Sequence, residues 1–190
     1  MTTLQLQCLL KYLGYDPGGI DGVMGENTRS ALKEMQTDAK ITVDGIPGAN
    51  TETALLIMVK NNKFKNKTKE DKTDEGWWKN IVYFRKLEFA CPCGRCGGFP
   101  KEMDKSLILL ADDIRKEVGR PMIVSSGVRC KAHNAELSGS VPNSKHLEGK
   151  AMDFCISGLS AQETFAILKK WKNKIKYAYA IDSSFVHMNV

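Results

Sequence analysis

The chain has three histidines, His133, His146 and His187. One of them opens a stretch that neither regular period explains. In "SKHLEGKAMDF" (Ser144–Phe154), Gly149 follows His146 by three residues and Asp153 follows it by seven. A helix face repeats every three or four residues and a strand face every two. One reading is a surface loop running into a strand, with an incidental histidine. The other is a pair of metal ligands held apart by a glycine turn. His187 bears on the choice. In "FVHMNV", alternation puts Phe185, His187 and Asn189 on one strand face. A histidine on a sheet can meet a loop histidine and a strand aspartate. Two imidazoles and one carboxylate leave a fourth position open for water, the design of a catalytic zinc site. Zinc lowers the pKa of that water to about 7 and polarises a carbonyl, which makes amide hydrolysis accessible.

The surrounding elements read as an α+β domain. In "DKSLILLADDIRKEVG", Leu107, Leu110, Ala111, Ile114 and Val118 recur at helical spacing, and Gly119 ends the helix. "PMIVSS" (Pro121–Ser126) and "AMDFCI" (Ala151–Ile156) read as buried strands. "SAQE" (Ser160–Glu163) is a capping box for a helix reaching about Trp171. "KYAYAI" and "FVHMNV" read as an antiparallel pair.

The first third differs. "IDGVMGENTRSAL" (Ile20–Leu32) recurs as "VDGIPGANTETAL" (Val43–Leu55), 23 residues later. Asp-Gly is turn chemistry, and Asn-Thr before the Ala-Leu pattern predicts a helix N-cap. An opening helix with Leu4, Cys8, Leu9, Tyr12 and Leu13 on one face completes three short helices. Two copies are too few for a solenoid, so the elements form a closed bundle. Residues 60–79 have few apolar side chains before the tryptophans and read as a linker. Trp77 and Trp78 are expected to pack on the second domain. The expected organisation is therefore a small all-α three-helix bundle (1–59), a linker (60–79) and an α+β domain with an antiparallel sheet carrying a zinc site (80–190).

The charge is uneven. Residues 1–59 hold 4 basic and 7 acidic side chains, and residues 80–190 hold 17 and 11. The basic part would be drawn to a polyanion, be it nucleic acid, an anionic membrane or a bacterial wall. A nucleic-acid role is disfavoured, because no ordered run of basic and aromatic residues shares one face. No apolar run approaches the roughly 20 residues that span a bilayer. The opening "MTTLQLQCLLKYLGYD" lacks the marks of a secretory signal, which predicts synthesis in the cytoplasm.

Two resemblances sharpen these readings. Leu6-Gln7, "LGY" at Leu13–Tyr15, both "DG..G..T" turns and Met35-Gln36 resemble the peptidoglycan-binding domain found at the ends of many wall-lytic enzymes. "SKHLEGKAMD" resembles the Ser-x-His-(x)6-Asp signature of the zinc D-Ala-D-Ala carboxypeptidase family. That family includes VanY-like carboxypeptidases and phage L-alanyl-D-glutamate endopeptidases. "SSGVRCKAHN" (Ser125–Asn134) resembles the strand that precedes the motif, and "FVHMNV" the strand carrying the last ligand. The resemblance implies that His146, Asp153 and His187 bind Zn2+. It also implies that Arg129 stabilises the oxyanion or anchors a substrate carboxylate. Ser144 is expected to bond substrate or shape its loop. The implied protein is a monomeric, endolysin-like peptidoglycan hydrolase, with bacterial peptidoglycan as partner. It would not insert in a membrane, and it would reach the wall after release from the cytoplasm.

There is a departure. In several branches an acid three positions before the last histidine serves as general base, and here that position is Ser184. Asp182 is the only carboxylate side chain in the last twenty residues. It is the expected proton-transfer residue, with Glu148 as a weaker candidate. The missing acid also keeps open a non-catalytic wall-binding or phage structural protein with a relic zinc site. The cysteines leave three readings. "CPCGRC" (Cys91–Cys96) with Cys130 can form a four-thiolate zinc site, a disulfide, or free thiols beside a Gly-rich loop. Cys8 and Cys155 read as core residues.

Overall fold

The computed structural model describes residues 1–60 and 76–190. Most of the expected linker, residues 61–75, lies outside the described residues. The chain divides into two compact units, Met1–Thr73 and Asp74–Val190.

The first unit holds α1 (Thr3–Tyr12), α2 (Glu26–Asp38) and α3 (Ala49–Lys60). Its core is Leu6, Leu9, Leu10, Leu13, Leu32, Met35 and Leu55. The buried face of α1 is wider than its expected stripe. Leu6 and Leu10 are covered, whereas Leu4 and Tyr12 are half-buried. The reason is that α1 packs on α2 and also receives the turn around Asp21.

That turn is pinned by a buried glutamine. Gln7 Nε2 donates to Asp21 Oδ1 (2.8 Å), the Val23 carbonyl (3.0 Å) and Thr28 Oγ1 (3.1 Å). Gln7 Oε1 accepts from the backbone N–H groups of Asp21 (3.1 Å) and Gly22 (2.8 Å). Gln36 repeats the pattern in the second copy. It donates to Asp44 Oδ1 (2.7 Å), the Ile46 carbonyl (3.3 Å) and Thr51 Oγ1 (3.1 Å). It accepts from Asp44 N (3.1 Å) and Gly45 N (2.8 Å).

These knots overturn one expectation. Asn27-Thr28 does not cap α2. Gly25 occupies the N-cap, and Thr28 sits inside the first turn, spending its hydroxyl on the Pro17 carbonyl and on Gln7. Gln36→Leu keeps the volume and strips the buried groups of their partner, each loss costing about 1–3 kcal/mol. The expected result is a loss of at least about 2 kcal/mol from this unit. Earlier melting of the helical circular-dichroism signal in urea would show it. The three tryptophans, at positions 77, 78 and 171, all report on the other unit.

The second unit begins with a 3-10 turn, Gly76–Asn80, so the last residues assigned to the linker are folded. Trp78 is buried as expected. It stacks on Trp77, packs near Phe89 and donates Nε1–H to Glu102 (2.8 Å). Helix α4 (Lys105–Val118) is capped by the Asp104 carboxylate, which accepts from Ser106 N and Leu107 N, and ends at left-handed Gly119. Then come β1 (Met122–Ser126), α5 (Lys131–Glu136), a 3-10 turn at Lys145–Glu148 and β2 (Ala151–Ile156). Helix α6 (Ala161–Leu168) starts at the Ser160/Glu163 capping box, and its continuation to Trp171 is a 3-10 turn. Strands β3 (Tyr177–Ala180) and β4 (Val186–Asn189) follow.

The four strands form one antiparallel sheet in the order β1-β2-β4-β3. Strands β2 and β4 are interior and wholly buried. Their side chains are largely apolar, so Asp153 and His187 stand out. A buried charge persists only if it is paired.

Candidate metal centre

Asp153 and His187 face each other across the β2–β4 ladder as direct register partners. His146 arrives from the 3-10 turn that precedes β2. Gly149 ends that turn with φ +70°, and its N–H returns to the His146 carbonyl. The chain reverses there and enters β2 two residues later, which brings His146 back over Asp153. A left-handed residue at this point strongly favours glycine.

Opposite Asp153, β1 is irregular. The pairing register shifts between Val124 and Ser126, so Ser126 rather than Ser125 is the partner of Asp153. Ser125 Oγ instead donates to the Asp153 carbonyl (3.1 Å). Such bulges re-aim side chains beside functional sites. Here the irregularity leads directly into Gly127, Val128 and Arg129.

Three side-chain atoms converge. His146 Nε2 lies 3.1 Å from Asp153 Oδ1, His187 Nδ1 lies 2.8 Å from the same oxygen, and the two nitrogens are 3.3 Å apart. His146 Nδ1 is 2.7 Å from the Gly127 carbonyl. That carbonyl can only accept, so Nδ1 carries a proton and Nε2 faces the cluster, where it takes either a second proton or a metal ion. Two nitrogen lone pairs and a carboxylate oxygen meeting at this range repel unless a cation, a proton or a metal ion, lies among them. The donor set is two imidazoles and one carboxylate, which suits zinc with a position left over for water. The carbonyl partner of His146 is the usual outer support of a metal-bound imidazole. The residues therefore fit the ion.

Electrostatics agree. Burial disfavours the Asp153 carboxylate. The hydrogen bonds of His146 and His187 and the charges of His146 and Arg129 outweigh it, holding its pKa well below the ordinary carboxylate range. The carboxylate is divided. Oδ1 faces the imidazoles, and Oδ2 accepts from Arg129 Nη2. Arg129 Nε donates to Ser126 Oγ (2.8 Å), which fixes the guanidinium plane.

The other expected site residues fall in different places. Ser144 caps the 3-10 turn, its Oγ accepting from His146 N (3.4 Å). Asp182 is in the β3–β4 hairpin, where its Oδ1 accepts from Ser184 N (2.7 Å) and Phe185 N (2.8 Å). The convergent group is His146, Asp153, His187 and Arg129, and these turn-building bonds are the contacts that Asp182 makes. Glu148 pairs with Lys145 (2.6 Å) and Lys150 (3.3 Å). His133 lies in α5, with Nδ1 4.0 Å from Glu136.

Sequence reasoning missed Tyr179. It is the register partner of His187 on β3, and its ring stacks on that imidazole at 4.9 Å. Burial and the Asp153 charge raise its pKa, so it stays protonated and able to donate a hydrogen bond. The alternation of "KYAYAI" was visible, but its register against "FVHMNV" was not. Asn189 supports the same histidine, with Nδ2 3.4 Å from His187 Nε2.

Comparison with known families adds to this geometry. Residues 3–55 match the family model described as "Putative peptidoglycan binding domain". No curated protein matches the chain. Residues 82–189, more than half of its length and the whole of the sheet with its convergent histidines and aspartate, match the family model described as Peptidase M15, and the chain belongs to that family.

Proposed function

We propose that this M15 peptidase is a peptidoglycan hydrolase that cuts an amide bond of the wall stem peptide at a zinc centre formed by His146, Asp153 and His187. The observation that carries the reading is the convergence of those three donors in a chain whose first segment matches peptidoglycan-binding domains. When bound, zinc supplies a Lewis acid that makes water nucleophilic near neutral pH.

The protein's own groups do the rest. Hydrolysis adds a hydroxyl to the carbonyl carbon and a proton to the departing nitrogen. Arg129 holds Asp153 in place, and in this reading its charge anchors a substrate carboxylate or stabilises a developing oxyanion. Tyr179, whose ring stacks on His187, is a further protonated group beside the centre. The first unit localises the enzyme on insoluble wall, which raises the effective substrate concentration without new contacts in the cleft. An endolysin role belongs to this proposal and rests on the pairing of wall-binding and peptidase segments. Whether the cut is of D-Ala-D-Ala or L-Ala-D-Glu type is read from the ends released. Digestion of purified peptidoglycan should yield new amino and carboxyl termini by mass spectrometry. A wild-type protein that releases none from any wall would be a binding protein, the reading that Ser184 favours.

Asp182 is the residue proposed to move the proton, through the carboxylate oxygen not used by the turn. Asp182→Asn keeps the Oδ1 acceptor and removes the charge. Turnover is expected to fall by about 10²–10⁴, the usual worth of general acid-base help, with zinc content unchanged. Near-normal turnover would leave Asp182 with the hairpin turn alone and move the test to Tyr179→Phe.

A further inference from the structure

A second cluster lies outside the convergent triad. The segment after the 3-10 turn Lys86–Phe89 carries Cys91, Cys93 and Cys96, and Cys130 caps α5. The four sulfur atoms lie within 4.8 Å of one another. Cys93 Sγ is 3.4 Å from Cys96 Sγ and 3.7 Å from Cys130 Sγ. All four are free thiols. A disulfide would bring two sulfurs to about 2.05 Å and leave the other two out. A tetrahedral zinc ion with bonds of about 2.3 Å spaces its sulfurs at about 3.8 Å, and the observed separations are near that edge.

The surroundings suit thiolates. Three backbone N–H groups point at the sulfurs: Arg95 N at Cys93 (3.4 Å), Cys130 N at Cys91 (3.5 Å) and His133 N at Cys130 (3.3 Å). Such donors stabilise a negative sulfur more than a neutral thiol, which is the weaker acceptor. Cys91 is buried and the other three are partly exposed, which leaves an entry path for an ion.

We propose that Cys91, Cys93, Cys96 and Cys130 form a second, structural zinc site that ties the Cys91–Cys96 loop to the start of α5. Binding displaces the thiol protons to solvent and closes the coordination sphere with four sulfurs, leaving no position for substrate. The tie acts on the catalytic side of the domain. Cys130 directly follows Arg129, and Val128 N bonds to the Phe89 carbonyl (2.9 Å) two residues before Cys91. The segment that presents Arg129 to Asp153 is thus held at Phe89 by a backbone bond and at Cys91 by sulfur. The site is a positioning device for Arg129.

The test is metal analysis of the full chain purified under reducing conditions. The expected content is two zinc ions per chain in the wild type. His146→Ala should keep one, and Cys93→Ser/Cys96→Ser should keep one. Cobalt substitution separates the sites without relying on activity. Thiolate-to-cobalt charge-transfer absorption should survive His146→Ala and vanish in the cysteine variant. Should the cysteine variant fail to fold, wild-type protein decides: four thiols should resist alkylation until a chelator is added. Free alkylation of these thiols in zinc-loaded wild type would overturn the site. So would an intact mass two hydrogens light with no sulfur-bound cobalt, which would mean a disulfide. Loss of zinc from His146→Ala bears only on the peptidase centre, so the two assignments fail separately.

Discussion

His187→Ala is expected to cut the release of new peptide ends from purified peptidoglycan to the level of buffer alone. The zinc proposed at this centre supplies several kcal/mol of transition-state stabilisation, and each 1.36 kcal/mol is tenfold in rate, so turnover should fall by at least about 10³. Nδ1 of His187 touches both other donors, and without it one imidazole and one carboxylate remain. The strand itself should survive. β4 is bonded on both sides, to β2 and to β3, and its backbone pairing does not depend on the imidazole. Circular dichroism should therefore stay native while one zinc equivalent is lost. A His187→Ala protein that keeps its zinc and its turnover would place the peptidase centre elsewhere.

Gly149→Ala should be among the most destabilising small substitutions in the second unit. Two costs add. The residue has φ +70°, and a left-handed backbone costs a side-chain-bearing residue about 1–2 kcal/mol. A Cβ there would also lie 2.2 Å from the Glu102 carbonyl oxygen, with the Met103 Cα at 3.2 Å. These are backbone atoms, and they cannot swing aside. The Gly149 carbonyl accepts from Asp104 N (2.8 Å), so the two segments are tied together. Asp104 in turn caps α4, so relief of the clash would loosen the helix. A loss of at least about 4 kcal/mol is expected, in the range reserved for backbone strain combined with overpacking. Gly139 supplies the control, since its φ is +73° and nothing lies within 4 Å of its Cβ position. Gly139→Ala should cost only about 1–2 kcal/mol. Tryptophan fluorescence in a urea titration compares the two directly, and equal midpoints would mean that the contact at Glu102 is soft.

The contrast between these glycines shows what the sequence could carry. A glycine between His146 and Asp153 announced a turn, because the turn is a local matter of φ. The backbone pressed against it belongs to residues 102 and 103, and no local pattern announces that. The same division runs through the fold. The Asp104 cap, the Gly119 stop and the Ser160/Glu163 box were legible because each is a short-range bond between a side chain and its own helix end. The interior strands were legible from apolar runs. Gln7 and Gln36 were visible only as parts of a motif, since their partners lie 8 to 21 positions away. The divided carboxylate of Asp153 and the stacking of Tyr179 on His187 needed the β-sheet register, which no single strand reveals. For Asp182, the sequence offered a carboxylate shortly before His187, and only the hairpin shows that Oδ1 closes the turn and that the other oxygen is the one left for the proposed proton transfer.

The strand order has a further consequence for the side from which the centre is reached. Asp153 and His187 lie on the two interior strands, whereas Tyr179 lies on β3, which is bonded only to β4 within the sheet and is mostly exposed. Edge strands open locally at far lower cost than interior ones. The floor of the site and its wall thus belong to different tiers of local stability. β3 is therefore expected to exchange its amides faster than β4, with the Asp153–His187 register the more protected. Under the proposed function, a bulky cross-linked substrate would approach the centre from this exposed edge-strand side.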